Sequence, residues 1–173
     1  MRAFPVVARH ALVPGRVGAS ITWLNHGLLR SAFVGQANAI LVDPRLDAED
    51  SGHRRISDHG RERRVVQAVR VAGRFVVANL HASNDAAVAR SEIERAREFV
   101  DELARPADVV VLAGDFNVAD LRIDGYSEPA IGVDHVFVKG ASATPPLLWP
   151  RERRMRNGVV LSDHAPVEVA IGE

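Results

Sequence analysis

Apolar and polar positions along the chain fall into one unbroken apolar run, several shorter strand-like runs and a single helical stripe. The run Val109-Val110-Val111-Leu112-Ala113 has no polar position, which predicts a strand buried on both faces. It ends in Gly114-Asp115-Phe116-Asn117. Residues 64–71 alternate, break at Ala72-Gly73 and give way to the apolar 75–81, which predicts a β-hairpin whose second strand lies deeper in a sheet. Residues 35–42 predict another strand, ended by Asp43-Pro44. Val88, Ile93, Ala96, Phe99, Val100 and Leu103 recur at helical spacing and predict one long helix, capped by Asn84 and stopped by Pro106. Residues 132–138 and 165–171 predict two more strands, the last one alternating. The remaining segments lack periodicity: 1–34, with at most a short strand near Ile21 to Leu24, the charged stretch 43–63, and loops at 117–132 and 139–158. One helix among many strands predicts a layered α/β fold, a single domain over residues 1–173 with 1–34 poorly assigned.

Composition narrows the picture by exclusion. The 173 residues are 47% apolar and 25% charged with zero formal net charge, so overall charge gives no case for nucleic-acid or membrane binding. Lys139 is the only lysine and there is no cysteine. Disulfides, thiolate metal sites and cysteine nucleophiles are thereby excluded. No apolar run reaches membrane-span length. The first residues make a poor secretory signal, which leaves the cytoplasm as the expected compartment.

Chemistry-capable side chains gather at four strand ends: Asn79 and His81, Asp115 and Asn117, Asp134 and His135, Asp163 and His164. Gly114 permits a tight turn or a close approach. If the strand stayed extended, Asp115 and Asn117 would share a face. Carboxylate and amide oxygens suit a hard cation, so Mg²⁺ or Mn²⁺ is expected ahead of Zn²⁺, for which no compact motif is present. His135, one residue past Asp134, falls on the opposite face of its strand and is expected to be packed or exposed.

Four blocks, Ala78-Asn79-Leu80-His81, Gly114-Asp115-Phe116-Asn117, Val133-Asp134-His135-Val136 and Ser162-Asp163-His164-Ala165-Pro166-Val167, resemble in order the signatures of the endonuclease/exonuclease/phosphatase (DNase I-like) superfamily. The resemblance runs from about Gln36 to the C-terminus. It implies a layered α/β/β/α sandwich and a divalent-metal-dependent phosphoesterase, nuclease-like, acting on a phosphodiester and possibly on nucleic acid. It further implies His164 as catalytic histidine, Asp134 as its orienting carboxylate, Asp115 and Asn117 as positioning water and phosphate, and His81 as neutralising phosphoryl oxygens. Asp163, with Asp115 and Asn117, is implied on the metal side.

The family's N-terminal Asn strand and its Gln-Glu metal-ligand strand find no counterpart: there is no Gln-Glu dipeptide, and Asn25 and Asn38 lack the context. The chain therefore reads as a member shortened by about two strands and a helix, and the alternative function is a non-catalytic member binding phosphate or nucleic acid at most. Ser57-Asp58-His59 repeats the Ser-Asp-His tripeptide, but within a charged loop and with no strand before it, so no catalytic role is expected. The arginines at 151, 153, 154 and 156 read as a solvated face beside Ser162-Asp163-His164, and Trp149 as packed with Leu147 and Leu148.

Overall fold

The computed structural model describes residues 2–7, 37–58, 63–127 and 130–172. Its centre is a six-stranded mixed sheet in the order β3-β4-β5-β6-β8-β7. The strands are β3 (Ala48–Arg55), β4 (Val65–Val71), β5 (Phe75–His81), β6 (Val109–Asp115), β7 (Ala130–Ile131) and β8 (Asp134–Lys139). The apolar run forms β6, central as expected, parallel to β5 and antiparallel to β8. Helix α1 (Ala86–Leu103) provides the crossover between β5 and β6, as a parallel pair requires. Its Ala89, Ile93, Ala96, Phe99 and Val100 cover Val76, Ala78, Leu80, Val110 and Leu112 on one face of the sheet. On the other face a two-stranded ribbon, β1 (Arg2–Val7) and β2 (Ala37–Val42), packs Ile40 and Val42 on Val69. Helix, sheet and ribbon make a layered α/β sandwich; a second helical layer is not among the described residues.

Several expectations need correction. The segment 43–63 contains β3, an outer strand antiparallel to β4 with an irregularity between Asp50 and Gly52. Its side chains are largely exposed on both sides, so it lacks the apolar alternation by which a strand is recognised. Arg54, for example, lies over the Phe99 ring and pairs with Glu102. The depths of the hairpin strands are reversed: β4 is buried almost throughout and β5 alternates. Polar residues in β4 mimic a wet face, yet Arg70 is buried, with its guanidinium on Asp108 at 2.8 Å and on the Leu103 carbonyl. The helix cap is Asp85, whose Oδ1 accepts from the Ala87 and Val88 amides, rather than Asn84.

The loop 139–158 contains short pairings, and residues 165–171 do not form one strand. Instead β13 (Val167–Glu168) pairs with β10 (Leu147–Leu148), and β14 (Ile171–Gly172) with β9 (Ser142–Ala143). Between them lie a 3-10 turn at Arg151–Arg154 and the pair β11 (Met155–Arg156) and β12 (Val159–Val160). Strand β1 lies in the N-terminal stretch read as irregular; the short strand expected near Ile21 falls outside the described residues. No helix among the described residues is long and apolar enough to cross a membrane.

Candidate active site

Three strand ends meet in register. His81, the last residue of β5, is paired with Asp115, the last of β6, and Asp115 with Asp134, the first of β8. Paired residues project to the same side of a sheet, and β-strand alternation fixes which side. Leu80 and Leu112 face α1, so His81 and Asp115 face away from it. The three side chains thus stand in a row, with His81 Nε2 3.5 Å from Asp115 Oδ2.

Gly114 makes this row possible. Its φ is +146°, and a Cβ there would lie 2.0 Å from the Leu80 carbonyl oxygen. The close approach is to the neighbouring strand rather than to a ligand. Asn117 departs from the extended path expected for it. Its φ is +52°, and its backbone N–H donates to Asp115 Oδ1 at 3.0 Å, a local turn that Asn supports well. Its side-chain Nδ2 donates to the Ala82 carbonyl at 2.9 Å, so what the amide offers elsewhere is its oxygen, an acceptor.

His164 arrives from the turn after β12. Its backbone N–H donates to Ser162 Oγ at 3.1 Å and Asp163 Oδ1 at 3.2 Å. Its Nδ1 lies 2.9 Å and 3.0 Å from the two carboxylate oxygens of Asp134. An ionised carboxylate only accepts, so Nδ1 carries the proton and Nε2 is left as the basic nitrogen. The hydrogen bond to Asp134 raises the His164 pKa above the ordinary 6.5, burial opposes it, and the charges of Asp134, Asp115 and Asp163 add to the rise.

A sequence profile described as the Endonuclease/Exonuclease/phosphatase family matches residues 8–164. The chain belongs to this family. As the family's name states, its members cleave phosphoesters, so membership gives a phosphoesterase-type hydrolase. Among solved structures, a truncated Caenorhabditis elegans TDP2 superposes with a TM-score of 0.62 at 17% identity, over 78% of this chain and 69% of that one. Zebrafish (D. rerio) TDP2 complexed with single strand DNA product gives 0.57 at 12%, over 80% and 72%. Bacteroides thetaiotaomicron mannosyl-6-phosphatase gives 0.54 at 19%, over 74% and 67%. At these identities the likeness is one of fold. No curated protein sequence matches the chain.

Family enzymes generally use a divalent metal, and the donor chemistry here accommodates one. Asp115, Asp134 and His164 each offer a ligand atom within 4.8 Å of the others, and two of the three are the carboxylates a hard cation favours. Asp163 stands outside that trio, on an exposed turn.

The residues set aside on sequence grounds are occupied elsewhere. His135 is buried, with its Nε2 on the Val118 carbonyl and its ring stacked on Phe137. Ser57 Oγ accepts the Arg64 N–H and Asp58 pairs with Arg95; His59 and Asn25 lie outside the described residues. Asn38 donates to the Val65 carbonyl. Trp149 and both leucines are exposed, Trp149 Nε1 donates to Glu168, and the Arg153 guanidinium lies over the ring. Arg154 donates to the Ser162 carbonyl and so braces the turn bearing His164. Sequence reasoning passed over Glu92, buried on α1. Its signal was visible, since a charged residue three positions after Ala89 and beside Ile93 falls on the apolar stripe.

Proposed function

We propose that this chain is a divalent-metal-dependent phosphodiesterase, nuclease-like, in which His164 and Asp134 handle the proton of the attacking water. The observation that carries the reading is the contact of His164 Nδ1 with both oxygens of Asp134, beside Asp115 in the strand-end row. With the tautomer so fixed, Nε2 takes a proton from water as its oxygen bonds to phosphorus, one ester P–O bond breaks, and the imidazolium, stabilised by the Asp134 carboxylate, gives the proton to the leaving oxygen. His81, at the end of the row, would neutralise a phosphoryl oxygen. Since Asp134 and His164 are engaged with each other, Asp115 and the Asn117 amide oxygen would hold Mg²⁺ or Mn²⁺, with Asp163 a further candidate ligand, and such an ion would supply Lewis acidity and charge neutralisation. A substrate with an ester on each side of phosphorus fits the nuclease-like half of the family, and the nucleic-acid product in the zebrafish neighbour supports testing DNA first.

The test is hydrolysis of bis(p-nitrophenyl) phosphate and of single-stranded DNA. Turnover is expected with Mg²⁺ or Mn²⁺ and should be lost on chelation with EDTA. Turnover that survives EDTA rejects the metal-dependent reading.

The raised pKa of His164 gives a pH prediction. Acting as a base, the ring must be neutral, so kcat/KM should rise with pH through a midpoint above 6.5. In Asp134→Asn the imidazole titration, followed by NMR in metal-free protein, should move down toward 6.5. The stability linkage has the opposite slope: a folded-state pKa above the unfolded one stabilises fully below about pH 6.5, and this contribution is lost as pH rises through the raised value. An imidazole titration unchanged in Asp134→Asn would show that the contact does not set the pKa.

A further inference from the structure

Among the buried ionisable groups of the described residues, Glu92 is a carboxylate that the mechanism does not use. Glu92 is 1% exposed on the sheet-facing side of α1. Both its oxygens serve a single residue: Oε2 accepts the Ser83 backbone N–H at 2.7 Å and Oε1 the Ser83 hydroxyl at 2.9 Å. A carboxylate this buried is costly unless hydrogen-bonded, and an aliphatic side chain would continue the stripe at less cost. What the acid does is hold the turn between β5 and α1.

That turn bears directly on the site. Ala82, fully buried, precedes Ser83 and follows His81. Its N–H donates to the Asp115 carbonyl at 2.9 Å, extending the β5–β6 pairing by one bond. Its carbonyl accepts the Asn117 side-chain amide at 2.9 Å. His81, Asp115 and Asn117 are therefore referenced to one dipeptide, Ala82-Ser83, and Glu92 is the side chain that fixes this dipeptide to the helix.

We infer that Glu92 is a positioning residue, which through Ser83 sets where His81 and the Asn117 amide stand relative to Asp115. The inference rests on the phosphoesterase reading for its effect on turnover. In Glu92→Gln the amide oxygen can keep the Ser83 N–H, but the amide nitrogen meets the Ser83 hydroxyl only as a donor, so that bond must reverse and both bonds lose the charge assistance of a carboxylate. The turn loosens while the helix keeps a side chain of the same shape.

The experiment measures kcat and KM on bis(p-nitrophenyl) phosphate with Mg²⁺, and NMR signals of the His81 imidazole and the Asn117 side-chain amide in metal-free protein. Both signals are expected to shift while those of His164 stay in place, and kcat should fall by roughly 10- to 100-fold at nearly constant KM, the scale that misplacing reacting groups carries. If Glu92→Gln does not fold, Ser83→Ala, which removes only the hydroxyl bond, is expected to give a smaller loss in the same direction with the same shifts. Unmoved His81 and Asn117 signals would overturn the inference, as would shifted signals with unchanged kcat. If the wild-type chain fails to hydrolyse the diester, the phosphoesterase reading falls, and the NMR shifts still decide whether Glu92 places His81 and Asn117.

Discussion

Replacing His164 by alanine is expected to lower kcat by about 10²- to 10⁴-fold, the range a positioned general base contributes, with little change in thermal stability. The two halves of this expectation have separate causes. Activity falls because, among the described residues, no other imidazole is bonded to Asp134: His135 is buried in the aromatic cluster and points to the opposite face. Stability holds because the His164 side chain is 42% exposed, so its removal opens no cavity, and a surface substitution of this kind stays within about 0.5 kcal/mol. Asp134→Asn should reach a loss comparable to that of His164→Ala despite being nearly isosteric. An amide at this position can donate to Nδ1, which leaves the proton on Nε2, the nitrogen that must accept. Steady-state kinetics beside a melting curve checks both variants. Hydrolysis at wild-type rates in His164→Ala would remove the histidine from the reaction and with it the proposed mechanism.

The site was far more legible in the sequence than the layers around it, and the reason is physical. His81, Asp115 and Asp134 sit at ends of strands whose interiors are apolar, so pattern alone marks both the strand and the residue that breaks it. The register that aligns them follows from the parallel β5–β6 and antiparallel β6–β8 ladders. Strand β3 was illegible because an outer strand exposed on both sides has no burial to record in its sequence. The reversed burial of β4 and β5 has a related origin. Arg70 and Gln67 look solvent-facing until a partner such as Asp108, distant in sequence, is known to be there. Asn117 illustrates the opposite limit. Spacing placed it near Asp115 correctly, but a residue with φ of +52° is no longer in a strand, so the shared-face argument fails where the turn begins.

Gly114→Ala is expected to cost at least about 4 kcal/mol, at the extreme of single substitutions and a large share of the roughly 5–15 kcal/mol that holds a domain folded. The added methyl carbon would sit 2.0 Å from the Leu80 oxygen, 3.0 Å from its carbon and 3.2 Å from its nitrogen. All three are backbone atoms of the adjacent parallel strand, so no side chain can swing aside. Relief requires β5 and β6 to part, at the point where Ala82 and Asn117 are hydrogen-bonded across the gap. Gly125→Ala is the control for conformational strain alone. Gly125 has φ of +81° with open space where a Cβ would go, so its substitution should cost about 1–2 kcal/mol, the price of left-handed backbone in a residue with a Cβ. Urea unfolding of both variants separates overlap from strain: a Gly114→Ala midpoint close to that of Gly125→Ala would mean that the strands tolerate the extra carbon. If some Gly114→Ala protein folds, it should still be impaired in hydrolysis. The same displacement that admits the methyl group shifts His81 away from Asp115, and reacting groups moved by about an ångström lose rate steeply. One glycine therefore carries both the packing of the two central strands and the alignment of the side chains at their ends.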